Sequence, residues 1–146
     1  MSLFKSMRIS STGLAAQRLR MNTLSSNLAN AQSTRNADGT GPYRRKDVVF
    51  SAVPTGTPFE DFLDESMNTQ LKKVKVVSIH EDTKEPRIVY DPNHPDADAE
   101  GNVAMPNIQV MSEMVNMIAA TRAYEANATA LNEAKQMALK ALEIGR

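Results

Sequence analysis

The residues of this sequence best suited to chemistry are the acidic side chains between positions 96 and 100. Asp96, Asp98, Glu100 and Gly101 occupy the first, third, fifth and sixth places of a calcium-binding EF-hand loop. Carboxylate oxygens at this spacing can surround a hard cation such as Ca²⁺. The twelfth place argues against such a site, because an EF-hand needs a bidentate glutamate there and this chain has Asn107.

The segment before this loop also departs from an EF-hand, which requires a helix that leads into the loop. Pro92 and Pro95 interrupt such a helix, and residues 87–91, RIVYD, are typical of a β-strand. Asp91 and His94 are further candidate ligands, but acidic segments rich in Pro, Asn and Gly are far more often solvated turns. The sequence therefore favours a turn-rich connection, with no metal and no other cofactor.

The rest of the chain offers little to catalysis. It has no cysteine, two histidines, and no glycine-rich phosphate loop, G-x-S-x-G or H-E-x-x-H motif. The carboxylate pairs Glu60/Asp61 and Asp64/Glu65 are typical of a solvated helix face rather than of an acid–base dyad. We therefore predict a protein that is not an enzyme.

Charge is distributed unevenly along a chain whose formal net charge is zero. Residues 1–35 carry five basic side chains and no acidic one, whereas residues 36–107 carry thirteen acidic and eight basic side chains. Opposite charge on separate segments suits assembly with other chains better than binding to a polyanion. The basic cluster YRRK at 43–46 precedes Asp47 and is a weak nucleic-acid signal, so no nucleic-acid partner is predicted.

Hydropathy gives no sign of direct membrane insertion. No apolar run approaches the roughly 18 residues that a membrane-spanning helix requires. No hydrophobic segment of a secretory signal follows the first basic residues either. If the protein leaves the cytosol, we expect it to do so without a cleaved signal peptide.

Two heptad patterns, one near each end of the chain, predict the elements that dominate the fold. Residues 108–144 contain no glycine or proline and predict a helix of about 37 residues, roughly 55 Å long. Four of its eight seam positions are alanine, which lets a partner helix approach closely. The seam positions of both patterns are spaced alternately by four and three residues. We predict that the following seam residues form the assembly interface: Leu14, Met21, Leu24, Leu28, Ala31, Met117, Ala120, Tyr124, Asn127, Leu131, Ala134, Ala138 and Ala141.

The middle of the chain is irregular and favours β structure. Its β-branched runs lie at 47–50, 74–79 and 87–90, each bounded by Pro, Gly or Asp. Residues 54–70 begin with a turn-rich cluster and contain a candidate short helix. The pattern within residues 51–73 identifies no fold.

These patterns predict a mainly α fold with a small β region, in which long N- and C-terminal helices pair as a coiled coil in an elongated molecule. We divide the chain into an N-terminal helix over 1–34, a β-leaning middle over 35–107 and a C-terminal helix over 108–146. The two terminal segments are expected to form one helical domain. Because isolated helices are marginal in water, their apolar seams need packing partners.

Several long motifs resemble one family in the order that this family requires. The segment SSNLANAQSTR at 25–35 resembles the motif that closes the first helix of bacterial flagellar rod and hook proteins. Residues 114–145 resemble the matching C-terminal helix of that family. The segments at 41–50, GPYRRKDVVF, at 87–107, RIVYDPNHPDADAEGNVAMPN, and at 141–146, ALEIGR, direct the resemblance to its rod members.

The resemblance implies a structural subunit of the flagellar basal-body rod, the drive shaft that crosses the periplasm and transmits motor torque. It implies that the terminal helices form a tube with other copies, other rod proteins, the rod-base adaptor and the MS ring. It also implies export through the flagellar type III apparatus without cleavage. In that family the acidic loop is the connection into the C-terminal helix. This chain departs from the family pattern at Asn127, a polar seam position able to set register.

Two other classes of protein stay open on the residues alone. One is a small calcium-binding module that uses the loop carboxylates. The other is a coiled-coil subunit of a different secretion apparatus with similar helical ends.

Overall fold

The computed structural model describes residues 3–36, 39, 41–55 and 71–144. Two long helices, α1 (Leu3–Ala29) and α2 (Val110–Ile144), lie towards the two ends of the chain. Four strands lie between them in sequence: β1 (Lys46–Pro54), β2 (Lys72–Glu81), β3 (Arg87–Tyr90) and β4 (Asn102–Met105). The predicted combination of a mainly α fold with a small β region is confirmed.

The two helices pack side by side and run in opposite directions. Gly13 of α1 lies against Asn127 of α2, and Asn27 of α1 bonds to Glu113 of α2. Asn27 lies fourteen residues after Gly13 in α1, whereas its partner Glu113 lies fourteen residues before Asn127 in α2. The two helices are therefore antiparallel. By the same register, the first residue of α1, Leu3, lies level with position 137 of α2.

Both helices are slightly shorter than the heptads predict. α1 ends at Ala29, and Ala31 lies in the following turn, where its backbone N–H donates to the carbonyl of Leu28 at 3.3 Å. The Asn30 side chain donates to the carbonyl of Ser26 at 2.9 Å, a local bond of the kind that competes with helix continuation. α2 begins at Val110 rather than 108, because Pro106 and the residues after it precede the first helical turn.

The strands form two separate antiparallel pairs. β1 pairs with β2 from Lys46↔Glu81 to Pro54↔Lys72, with a register shift between Val49 and Phe50. β3 pairs with β4, and α1 also packs against both β1 and β2. The β-branched runs identified in the sequence lie inside β1, β2 and β3.

Strand β4 is absent from the sequence prediction. Its four residues, NVAM, contain a single β-branched side chain, so composition gives no strand signal. Pairing with β3 makes it a strand, and Val103 becomes completely buried. The candidate short helix within 54–70 falls almost wholly on 56–70, outside the described residues.

The described core is small and consists mostly of small side chains. Its buried hydrophobic residues are Ala16, Leu24, Val103, Ala120 and Ala134. Most of them lie between α1 and α2, so the helix pair is the main packed unit. Among the described residues, no helix is both long and apolar enough to cross a membrane.

Candidate assembly site

Helix α2 turns most of its predicted seam towards α1. Ala120 and Ala134 are 1% and 4% exposed, and Ala141 alone of the eight is exposed. The half-buried seam residues are Met117, Tyr124, Asn127, Leu131 and Ala138. Alanine at the two most buried positions allows α1 to approach closely, as the spacing predicts.

On α1 the buried face lies mostly one residue away from the predicted seam. Leu24 is buried, but Leu14, Met21 and Leu28 are only half-buried. The other buried residues of this helix are Gly13, Ala16, Thr23 and Asn27. A heptad search selects large apolar side chains, whereas close helix packing here uses small and hydrogen-bonded ones. The half-buried large residues thus border the helix pair instead of filling its centre.

The two helices approach each other closely at Gly13. A Cβ atom built on Gly13 would lie 3.0 Å from Nδ2 and 3.1 Å from Cγ of Asn127. The Asn127 amide is held by its own helix, because Nδ2 donates to the carbonyl of Ala123 at 2.9 Å. Glycine in a helix interior is disfavoured, and here its lack of a side chain makes room for an amide on the facing helix.

This contact predicts a non-additive pair of substitutions. Gly13→Ala alone should gain little, because the methyl group meets the Asn127 amide and offsets the roughly 1 kcal/mol helix advantage of alanine. In an Asn127→Ala background, the same change should increase the free energy of unfolding by about 1 kcal/mol. Urea unfolding of the four proteins in the cycle measures the difference. Equal effects of Gly13→Ala in both backgrounds would show that the contact is absent.

A buried asparagine joins three parts of the chain at the other end of the helix pair. Asn27 is 0% exposed, and its Nδ2 donates to the carbonyl of Lys46 at 2.7 Å and to Oε2 of Glu113 at 3.0 Å. Its Oδ1 accepts from the backbone N–H of Lys46 at 2.9 Å and from the Tyr43 hydroxyl at 3.2 Å. One side chain thereby connects the end of α1, the start of β1 and the start of α2.

Glu113 is the charged member of this network. Its side chain is 2% exposed, and its Oε1 accepts from Nε of Arg45 at 2.7 Å. Burial alone lowers the pKa of the Arg45 guanidinium, but the hydrogen bond and charge of Glu113, together with Asp47, outweigh it and raise that pKa. The carboxylate also lies in the first turn of α2, where the helix dipole favours negative charge. We call Asn27, Tyr43, Arg45, Glu113 and the Lys46 backbone the polar anchor.

No motif or periodicity in the sequence predicts the polar anchor. Asn27 and Arg45 lie inside segments that carry the family resemblance, but nothing local shows that they meet. Glu113 had a usable signal, since extending the seam four positions before Met117 arrives at this lone acidic residue in an apolar run. A charge on the packed face of a helix requires a partner, and that requirement could have directed a search for Arg45.

In the loop between β3 and β4, the Asp96 side chain contacts the segment that follows α1. The Asp96 carboxylate accepts from the Thr34 hydroxyl at 2.6 Å and forms an ion pair with Arg35. The Thr34 hydrogen bond lowers the pKa of Asp96 most; desolvation opposes it, and Arg35 reinforces it. Asp96 therefore ties the loop to the segment that follows α1.

The second candidate ligand holds a turn within the loop. Oδ1 of Asp98 accepts from the backbone N–H groups of Glu100 at 2.9 Å and Asn102 at 2.8 Å. Gly101 has φ +82°, and a Cβ there would lie 3.0 Å from the Tyr90 ring. Within the described part of the chain, no group of three or more His, Asp or Glu residues could hold a metal ion. The arrangement suits a turn that brings β4 beside β3.

Acid should erase the contribution of Asp96 to stability. Because its folded-state pKa is lowered, the stabilisation is present above the unfolded value and is lost as pH falls through the folded one. The gap in unfolding midpoint between wild type and Asp96→Asn should therefore shrink below the ordinary aspartate pKa of 3.8. Calcium or a chelator should leave both curves unchanged. Glu100→Gln, an exposed carboxylate of the same loop, is the control; a calcium-dependent gap would contradict the structural role.

Large apolar side chains remain exposed on α2. Met111, Met114, Val115 and Ile118 form one group near its start. Near its end, Met137 and Ile144 are exposed on one side of the helix and Leu139 and Leu142 on the other. Exposed apolar groups of this size mark sites of contact with other proteins. A helix pair closed by a polar anchor and flanked by such groups has the properties of an assembly subunit.

Comparison with known proteins identifies the assembly class as the flagellar rod. A family described as flagella basal body rod protein matches residues 7–42, and one described as flagellar basal body rod FlgEFG protein C-terminal matches residues 99–144. These matches cover most of α1 and all of α2, and they include Asn27 and Glu113 of the polar anchor. The chain is thus a structural subunit of the flagellar basal-body rod.

Relatives that align over the full length of the chain identify its family within the rod proteins. The chain is 45% identical to the flagellar basal-body rod protein FlgC of Bacillus subtilis, with 100% of both chains covered. It is 43% identical to FlgC of Borreliella burgdorferi over 99% of this chain and 98% of the relative. It is 42% identical to FlgC of Salmonella typhimurium over 100% of both. The chain belongs to the FlgC family of flagellar basal-body rod proteins.

Proposed function

We propose that this chain builds the proximal rod by packing its α1–α2 pair, wound as a coiled coil, against the helices of neighbouring subunits. The resulting tube transmits motor torque. The observation that carries the proposal is the exposed apolar face at the start of α2. Met111, Met114, Val115 and Ile118 are 69%, 47%, 62% and 55% exposed, although they lie on a helix already packed against α1.

The chemistry of this face supports a protein partner. Four neighbouring large apolar side chains in water favour burial, at roughly 25 cal/mol per Å² of apolar surface covered. Small seam residues inside the pair, such as Ala120 and Ala134, set the distance between α1 and α2. The half-buried residues Leu14, Met21 and Leu28 extend the surface along α1. In this proposal, some predicted interface residues pack α1 against α2, and others contact neighbouring subunits.

The partners we propose are other copies of this chain, other rod proteins, the rod-base adaptor and the MS ring. Delivery would occur through the flagellar type III export apparatus without cleavage. Neither nucleic acid nor direct insertion into the membrane has a part in this proposal, and the chain acts as a structural protein rather than an enzyme.

The domain division follows from the same proposal. Segments 1–34 and 108–146 form one helical domain that builds the tube, and residues 35–107 carry the β pairs. The polar anchor supports this division, because Asn27, Arg45 and Glu113 connect the helices to the start of β1. The β region would then hold a fixed orientation relative to the tube.

A complementation experiment tests the proposed function. In a strain that lacks its own copy, Ile118→Asp should abolish swimming and rod formation, because a charge would replace an apolar contact between subunits. Ala130→Asp, an exposed position elsewhere on α2, is the matched control and should swim. Circular dichroism of both purified variants should match the wild type. Equal swimming of the two variants would contradict the proposed interface.

A further inference from the structure

Two methionines form half of the exposed apolar face at the start of α2. Met111 and Met114 are 69% and 47% exposed, and they share an arc of about 100° of the helix with Val115 and Ile118. Among the methionines that the structure describes, Met137 is the one other exposed residue, about 39 Å further along α2. The remaining described methionines are half-buried: Met7, Met21, Met105 and Met117.

Exposure makes the sulfur atoms of Met111 and Met114 accessible to a peroxide. A sulfur lone pair attacks one oxygen of hydrogen peroxide, the O–O bond breaks, and an S–O bond forms. The departing hydroxide takes up a proton and leaves as water. Sulfur gives up two electrons, which the peroxide gains, and the flexible apolar thioether becomes a polar sulfoxide.

A sulfoxide is compatible with the free chain but not with a covered apolar face. In the free chain its oxygen accepts hydrogen bonds from water. When a neighbouring subunit covers the face, that water leaves, and the aliphatic Val115 and Ile118 beside the sulfoxide donate no hydrogen bond. An acceptor that loses its water without gaining a donor opposes association.

The methionines beside the α1–α2 contact are less open to this reaction. Met21 and Met117 are half-buried. The Met21 sulfur also accepts a hydrogen bond from the Thr121 hydroxyl at 3.5 Å, which engages one of its lone pairs. Mild oxidation therefore changes the outer face before it reaches the helix pair, and the chain keeps its fold.

We propose that Met111 and Met114 form an oxidation site that prevents the free subunit from entering the rod. Peroxide converts both side chains to sulfoxides, and the polar face no longer packs against a neighbour. A methionine sulfoxide reductase reverses the change, because two thiols become a disulfide and the sulfoxide oxygen leaves as water. In an assembled rod the neighbouring subunit covers the face and protects it. This regulation rests on the proposed function and concerns the same face.

Glutamine tests the effect of a sulfoxide without any oxidant, since it is polar, of similar length and nearly as good a helix former as methionine. In a deletion strain, Met111→Gln with Met114→Gln should reduce the number of basal bodies that contain a rod at least tenfold. The matched control is Met111→Leu with Met114→Leu, which keeps both positions apolar and should assemble like the wild type. Circular dichroism should show equal helix content in both purified variants. Normal assembly of the glutamine variant, or failed assembly of the leucine variant, would overturn the proposal.

Peroxide treatment of growing cells tests the oxidation itself. Sublethal hydrogen peroxide should reduce new rods at least threefold more in the wild type than in the leucine variant, which cannot be oxidised at these positions. General damage to the cell affects both strains equally. Met137→Leu removes the distant exposed methionine and should leave the sensitivity of the wild type unchanged. Equal loss of rods in the wild type and the leucine variant would overturn the proposal, even if the glutamine variant misfolds.

Ile118→Asp separates this inference from the proposed function, because it changes the same face without affecting a methionine. If Ile118→Asp abolishes rod formation and the glutamine variant assembles normally, the oxidation site is wrong while the proposed interface stands. If Ile118→Asp also assembles normally, the proposed interface fails. The inference predicts that both variants lose the rod and that the leucine variant keeps it.

Discussion

Asn27→Ala is expected to lower the free energy of unfolding by about 2–4 kcal/mol, because it leaves polar groups of the anchor without partners. The asparagine serves both backbone groups of Lys46 and one oxygen of Glu113. Alanine is the better helix former, so helix propensity would favour the mutant. A loss of stability therefore reports the network, and urea unfolding of the purified chain measures it.

A second asparagine near the end of the same helix provides the control. Asn30 makes local bonds to Ser26 and Ser33 only, among the contacts observed for its side chain. Asn30→Ala should shift the unfolding free energy by no more than about 1 kcal/mol, the scale of one such bond. Similar shifts for Asn27→Ala and Asn30→Ala would mean that the polar anchor does not hold the three segments together.

Ala120→Leu is expected to cost about 1–3 kcal/mol of stability and to block rod assembly, because it adds bulk to the close contact between α1 and α2. The Ala120 side chain is 1% exposed, so three extra carbon atoms can enter only if the helices separate. Separation would also displace Glu113 from Asn27 and weaken the polar anchor. Thermal unfolding and swimming of a complemented deletion strain measure the two effects.

The neighbouring alanine supplies a matched control. Ala119 is exposed on the same helix, and Ala119→Leu makes the same chemical change with almost no effect on helix propensity. It should leave the unfolding midpoint of the free chain nearly unchanged. If Ala119→Leu destabilises the chain as much as Ala120→Leu, the assignment of the packed face is wrong.

Both helices could be predicted because their signals are local. Residues 108–144 have no helix-breaking residue and repeat at the helical period, so α2 follows within two residues of its observed start. The packed face of α1 could not be derived in the same way. A hydrophobic search favours Leu14 and Met21, but Gly13 and Ala16 are the residues that permit close approach. Which face packs depends on the partner helix.

The polar anchor could not be predicted from sequence pattern alone. Asn27, Arg45 and Glu113 are separated by eighteen and sixty-eight positions, and each residue type is common at protein surfaces. These residues come together only when the two helices pair and β1 packs beside them. The acidic loop, by contrast, could be predicted from a local signal. Asn107 stands where an EF-hand has its bidentate glutamate, which favoured a turn, and Asp98 accepts hydrogen bonds from backbone N–H groups of a turn.

The central claim is that the antiparallel α1–α2 pair of this chain is the unit that enters the rod. Gly13→Cys with Asn127→Cys tests it directly, because a Cβ atom built on Gly13 would lie 3.1 Å from Cγ of Asn127, which is close enough for a disulfide. Basal bodies should be purified from a strain whose only copy carries both changes, then oxidised and analysed by mass spectrometry. We expect the chain within the rod, with a disulfide joining residues 13 and 127 of the same chain. Absence from the rod, or unlinked cysteines in assembled rods, would contradict the claim.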